Sequence, residues 1–490
     1  MELLKNKRLL MTLLAAGVLS GSGGCGRLPG AAETTAAAGT DAVTEVSTET
    51  SREIAKTTET EIAEAAEAEN TEAAKTIKAT SGTSASLPVF AVLPTRYDAR
   101  EYGRTAAVKN QGTQGTCWAF ASLLALESYL LPGETYDFSE DHMTHNPSFA
   151  LEESAGGDYT MSMAYLASWR GPVLEQDDPY GDGISPENLA AVKHVQEIRM
   201  LPEGDVESIK RSVLDFGGVQ SSLYTNLREA GEYSEFYNQE TRAYCCPDDR
   251  KPNHDVVIVG WDDNYPKENF KAEVSRNGAF LCENSWGTQF GEDGFFYVSY
   301  EDANLGKTNI CYSRVEDVGN YDNIYQSDLC GWIGQLGYGR EDAWGVNVYQ
   351  TGDEPEQLGA VGFYATNVNT DYEVYLVPKV SDDPTAPDSH TFEMRRKVAS
   401  GHLDYAGYYS IPLEQAARLE ANQRFGVMIR LVTPDAIHPI AIEYDAGDGK
   451  CRIDLGDGEG YISPDGVGWE RVEEKQNCNL CLKAYTSKVK

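Results

Sequence analysis

The stretch Gln111-Gly-Thr-Gln-Gly-Thr-Cys117-Trp118-Ala119-Phe120 constrains the fold most, because it sets a cysteine where a helix must begin. Between Cys117 and Leu131, Phe120, Leu124 and Leu131 recur at about a helical turn, and no Gly or Pro interrupts them. Glycines at 112 and 115 let the chain turn tightly into that helix. A thiol there meets the positive end of the aligned peptide dipoles, which favours thiolate. That is a nucleophile's position. Taken alone, a cysteine on an amphipathic helix reads more readily as a small buried hydrophobe.

Two later segments reverse that balance. Asn253-His254-Asp255-Val-Val-Ile-Val259-Gly260 sets a histidine at the head of a β-branched run, which predicts a buried strand. Asn284-Ser285-Trp286-Gly287, followed by Gly291-Glu-Asp-Gly-Phe-Phe-Tyr-Val298, places an asparagine before a turn and a further strand. Together with Gln111 and Cys117, these segments resemble the papain-type cysteine peptidases, with Gln, Cys, His and Asn in the family's order. His254 lies 137 positions beyond Cys117, within the roughly 130–150 characteristic of the family. Asn284 lies 167 beyond; an insertion in the acidic stretch from Asp262 to Gly278, read as a surface hairpin, accounts for the excess.

The resemblance implies the site. Cys117 would be the nucleophile, with His254 as its base and then the acid for the leaving amine. Asn284 would orient His254, and Gln111 would join the Cys117 N–H in holding the tetrahedral oxyanion. Trp286 would shield the His254–Asn284 contact. Leu93-Pro94 and Asp98-Ala99-Arg100 resemble the family's mature amino terminus. Gly156-Gly157 matches the paired glycine lining the substrate cleft, where an extended peptide approaches backbone; an ordinary turn is the plain alternative. Two departures stand out. Many relatives carry a cysteine where this chain has Gln114, bonded to another just before the glycine pair, and both are missing here, so packing must brace the cleft. Asp255 replaces a small apolar residue and either shapes a substrate pocket or points into solvent.

Export is expected. Lys5, Lys7 and Arg8 precede an apolar run from Leu9 to Leu19 and then Ser22-Gly-Gly-Cys25, a signal that resembles the bacterial lipoprotein type and makes Cys25 the candidate lipidation site. Ser22 departs from the larger aliphatic residue usual there. Residues 26–86 are rich in Ala, Thr and Glu and hold no aromatic side chain, which predicts an acidic, disordered tether rather than a folded inhibitory segment. The formal charge of −36 argues against nucleic acid. Any membrane attachment is expected through the lipid anchor alone. The cysteines left over, with the single Cys478-x-x-Cys481 pair, do not define a zinc site or a disulfide pattern.

Residues 87–318 therefore form the expected peptidase domain, α+β, with a helical half and a strand-rich half. From 319 to 490 the pattern changes to short β-rich segments separated by Gly, Asp, Asn and Pro, which predicts an all-β sandwich. Glu356-Gln-Leu358, Val361–Tyr364, Tyr372–Tyr375, Phe425-Gly-Val427 and Pro439–Glu443 resemble the lectin-like sandwich that follows the papain unit in some bacterial surface peptidases. No cofactor or catalytic metal is expected; the acidic loop Asp454–Glu459 is a candidate calcium site in the C-terminal domain, with a metal-free acidic turn as the simpler reading. The expected activity is that of an exported, cell-surface cysteine endopeptidase acting on protein or peptide substrates, with an envelope glycan or surface protein as a partner of the C-terminal domain. The rival is an adhesin with a weak or silent peptidase unit.

Overall fold

The computed structural model describes residues 92–489, apart from Glu152, Glu187, residues 228–230 and residues 387–388. The expected export signal, Cys25 and the 26–86 tether lie outside the described residues.

The helical half is built around Cys117–Leu130, whose side chains are buried at every position but Tyr129. A helix that is apolar or small on all faces belongs inside, provided its few polar groups find partners. They do. Ser122 Oγ donates to Gln220 Oε1 at 2.8 Å, Ser128 Oγ to the Arg104 carbonyl at 2.6 Å, and Glu127 accepts from Lys109 at 3.0 Å. Shorter helices at Glu140–Thr144 and Tyr159–Ala167 pack beside it, each capped by its preceding side chain, Ser139 and Asp158.

In the strand-rich half, His254–Asp262 is central, flanked by Val219–Leu223 and Ala279–Glu283, with Phe295–Ser299 beyond. The expected insertion is the connection between the two middle strands, which pair from Asp262↔Ala279. Its Tyr265, Phe270 and Val274 pack with Ala243, Cys245 and Ala279 in a small buried cluster.

The C-terminal part is a sandwich. One sheet runs Arg396–Leu403, Thr370–Val377, Arg424–Val432, Asp342–Gln350, Gly460–Ser463, Glu470–Arg471. The facing layer pairs Asn323–Tyr325, Leu482–Lys488, Glu356–Ala365 and Ala406–Leu419. Val361, Phe363, Val374, Leu376, Phe425, Val427 and Ile429 fill the space between them. The sequence reading ends one unit at 318 and begins the next at 319, yet the backbone joins them: Ala406–Tyr409 pairs antiparallel with Glu197–Met200, so one thirteen-stranded sheet runs through both. Gly407 makes the junction possible; at φ +136° a Cβ there would sit 2.0 Å from the Ile198 carbonyl oxygen. Among the described residues no helix is long and apolar enough to cross a membrane.

Candidate active site

Cys117 opens its helix directly after Thr116, whose side chain makes no capping bond and instead shares a 2.7 Å hydrogen bond with the Tyr180 hydroxyl. His254 heads the strand on which that helix packs. Gln220, from the neighbouring strand, joins the two: its amide donates to Asp255 Oδ2 at 2.9 Å and to the Trp118 carbonyl at 3.4 Å. One buried amide thus anchors the residue after the candidate nucleophile and the residue after the candidate base.

The Val257↔Glu283 register leaves His254 and Asn284 at the same end of their strands. His254 Nε2 and Asn284 Oδ1 are 2.7 Å apart and buried. The Ser285 N–H donates to the same Oδ1 at 2.8 Å, which requires that atom to be the amide oxygen rather than its nitrogen. His254 therefore donates from Nε2, and Nδ1 is the basic nitrogen. Trp286 lies over the imidazole, ring centres 4.6 Å apart and planes 29° apart. Such a cover keeps water from competing for the His254–Asn284 bond.

Gln111 is equally fixed. Its N–H donates to the Ser285 carbonyl at 2.9 Å, its Oε1 accepts from Ser285 Oγ at 2.6 Å, and its Nε2 donates to the Gln114 carbonyl at 2.9 Å. An amide nitrogen carries two protons, so one remains for an oxyanion. Tyr180 donates to the Gln111 carbonyl at 3.0 Å and packs edge-on against Phe120. Ser285 stands inside the motif that identified Asn284, and Tyr180 inside Asp178-Pro-Tyr180, but neither role is readable before the chain folds.

The glycine pair is set by packing. Gly156 sits at φ +82°, and a Cβ on Gly157 would fall 2.5 Å from the Trp118 indole. Where the sequence lacks a disulfide, the C-terminal part supplies the brace. The Ala150 N–H donates to the Lys450 carbonyl at 2.7 Å, the Arg452 N–H to the Ser148 carbonyl at 2.9 Å, and Lys450 Nζ pairs with Asp158 at 2.9 Å, directly after the glycines. Phe149, between those bonds, sets its ring edge against Trp118. All nine cysteines among the described residues are thiols.

Asp255 does not point into solvent: it is 4% exposed and bonded to Gln220. In the loop considered for calcium, Glu459 is occupied by Arg424 at 2.8 Å, which weakens its claim as a ligand. Behind the site, Lys109 Nζ gathers Glu127, Asp137 and Glu140 and keeps its proton, held well above its ordinary value by these carboxylates against the cost of burial. Burial pushes the carboxyls of Glu140 and Glu283 up to about 8.

Two family models match this chain: papain family cysteine protease over residues 93–315 and lectin like domain over residues 324–486. The chain carries a papain-family cysteine protease domain and a lectin-like domain. Its papain-family part is 28% identical over 224 residues to cathepsin L of Sarcophaga peregrina, covering 44% of this chain and 62% of that protein. Cathepsin S of Bos taurus is likewise 28% identical over 224 residues, covering 43% and 62%. The chain thus spans less than two thirds of these relatives. Both domains together are similar to the solved cysteine protease and lectin-like domains of Cwp84, a surface layer associated protein of Clostridium difficile: 28% identity, TM-score 0.69, 81% of this chain and 89% of that one. Cwp84 after propeptide cleavage gives the same identity and TM-score over 80% and 99%.

Proposed function

We propose that this chain is a cysteine endopeptidase that hydrolyses peptide bonds through a thioester on Cys117. The observation that carries the reading is the His254–Asn284–Ser285 arrangement, which leaves Nδ1 as the basic imidazole nitrogen. The Cys117 thiol gives its proton to His254, and the thiolate adds to the scissile carbonyl. Negative charge moves to the carbonyl oxygen, where the Gln111 amide meets it. His254 returns the proton to the amine, the C–N bond breaks, and the amine departs. Water then attacks the thioester while His254 takes its proton; the C–S bond breaks, releasing the acid and restoring the thiol.

We further propose export to a cell surface, with Cys25 lipidated, and substrates among envelope or extracellular proteins. The surface-layer association stated for Cwp84 supports this placement, as does the amino-terminal signal pattern. The lectin-like domain would bring the enzyme to a glycan or surface protein, with calcium as a candidate ligand of that domain. An irreversible epoxide inhibitor of papain-like enzymes tests the chemistry by intact mass. One adduct is expected on the native chain and none on Cys117→Ala. No adduct on folded, reduced protein would favour the adhesin reading instead.

A further inference from the structure

The loop that delivers Tyr180 to Gln111 carries Asp178 and Asp182, which converge with Asp141 from the Glu140–Thr144 helix. One oxygen of each lies within 4.8 Å of the others. Asp141 and Asp178 are 0% and 1% exposed, and Asp182 opens the cluster to solvent. The chain satisfies Asp178 only in part. Ser185 Oγ donates to Asp178 Oδ2 at 2.6 Å, the Gly181 N–H to Asp141 Oδ1 at 3.2 Å, and the Ile184 N–H to Asp182 Oδ1 at 2.9 Å. Asp178 Oδ1, shut away from water, receives no hydrogen bond.

A buried carboxylate oxygen without a donor keeps its desolvation penalty uncompensated. His145 Nδ1 stands 3.8 Å from Asp141 Oδ2. Calcium bonds oxygen at about 2.3–2.6 Å, so opposed ligands stand about 4.6–5.2 Å apart, and it tolerates irregular spheres completed by water. A trio of carboxylates within 4.8 Å, two buried and one exposed, has that spacing.

We propose that Asp141, Asp178 and Asp182 form a calcium site in the protease domain that locks the 178–182 loop and, through Tyr180, the position of Gln111. The ion supplies the positive charge that Asp178 Oδ1 lacks. Tyr180 lies between two of the ligands in sequence and holds both the Gln111 carbonyl and the Thr116 hydroxyl, so ordering this loop orders both sides of the oxyanion position.

Calcium chloride titrated calorimetrically into EDTA-dialysed protein tests the site, using the native chain, Asp178→Asn, Asp182→Asn and, as a control for the C-terminal loop, Asp454→Asn. One equivalent is expected to disappear in Asp178→Asn and Asp182→Asn and to persist in Asp454→Asn. Asp182 is exposed, so Asp182→Asn should melt like the native chain without calcium and lack the native rise in Tm when calcium is added. Identical titrations for the native chain and Asp182→Asn, no binding to either, or loss of the equivalent in Asp454→Asn alone would overturn the site. In a peptidase assay calcium should raise native kcat/KM several-fold and leave Asp182→Asn unchanged. That arm rests on the proposed activity, whereas calorimetry does not. Binding without a change in kcat/KM would overturn the link to Gln111 in an enzyme that otherwise cleaves.

Discussion

Ser285 is where the two amides of the candidate site, Gln111 and Asn284, converge. Its hydroxyl meets Gln111 Oε1 and its N–H donates to Asn284 Oδ1, so it touches both; the Gln114 carbonyl, which can only accept, fixes the flip of Gln111. Removing an oxyanion donor outright costs about 2.7–4 kcal/mol of barrier, which is the expectation for Gln111→Ala. Ser285→Ala keeps the Gln111 amide but removes one of the bonds that orient it. A loss of about tenfold in kcat, or ~1.4 kcal/mol, is expected, with KM and Tm close to native. Steady-state kinetics beside a thermal melt checks this; a fall in Tm that accounts for the lost activity would make Ser285 merely structural. Gln111, Cys117, His254 and Asn284 could be nominated for the candidate site because each sits in a local motif with its own turn or strand signal. Ser285, Tyr180 and Gln220 were not, since their partners lie far along the chain and meet them only after the strands pair.

At the scale of the elements, strands with clean apolar runs were readable: the β-branched run after Asn253 is the His254–Asp262 strand, and Phe295–Ser299 follows Gly291. Lys193–Leu201 and Leu482–Lys488 were missed because both carry charge, which periodicity reads as solvent-facing. The structure buries both lysines beside carboxylates, Lys483 with the buried Asp328 and Lys193 with the half-exposed Glu134. Glu283, at the end of the strand leading into Asn284, has no such pair: its Oε1 is buried without a hydrogen bond, and burial raises its carboxyl from 4.5 to about 8. The sign follows by linkage. Below pH 4.5 the acid is neutral folded and unfolded; between 4.5 and about 8 the unfolded chain ionises it and the folded chain does not, so stability is lost as pH rises through that window. Glu283→Gln removes this loss. Its Tm is expected to match the native chain near pH 4.5 and to exceed it by a few degrees at pH 8, at about 2–4 °C per kcal/mol. Parallel native and variant Tm curves across the window would refute the assignment.

At the scale of the molecule, the two domains share more than a linker. Trp332, Tyr364 and Tyr408 of the lectin-like part lie in the same buried cluster as Ala164 and Ile198 of the protease. The Lys193–Leu201 strand takes its second hydrogen-bonded neighbour from Ala406–Tyr409, and the cleft wall at 148–158 is held by Lys450 and Arg452. A chain ending at Val318 would therefore lose three supports together. Its outer strand would become an open edge, a template for aggregation. Its apolar cluster would face water, at about 25 cal/mol per Å² exposed. Its glycine pair would lose the brace that replaces a disulfide. Such a protein is expected to be insoluble or to melt at least about 10 °C below the full chain. Its soluble fraction should show rapid amide exchange in Lys193–Leu201 and a raised KM for extended peptides. Hydrogen exchange with mass spectrometry on both forms checks this. Equal protection of that strand in both would mean the protease half folds alone and the shared sheet is only an attachment, whereas selective loss there would make the lectin-like domain a working part of the cleft.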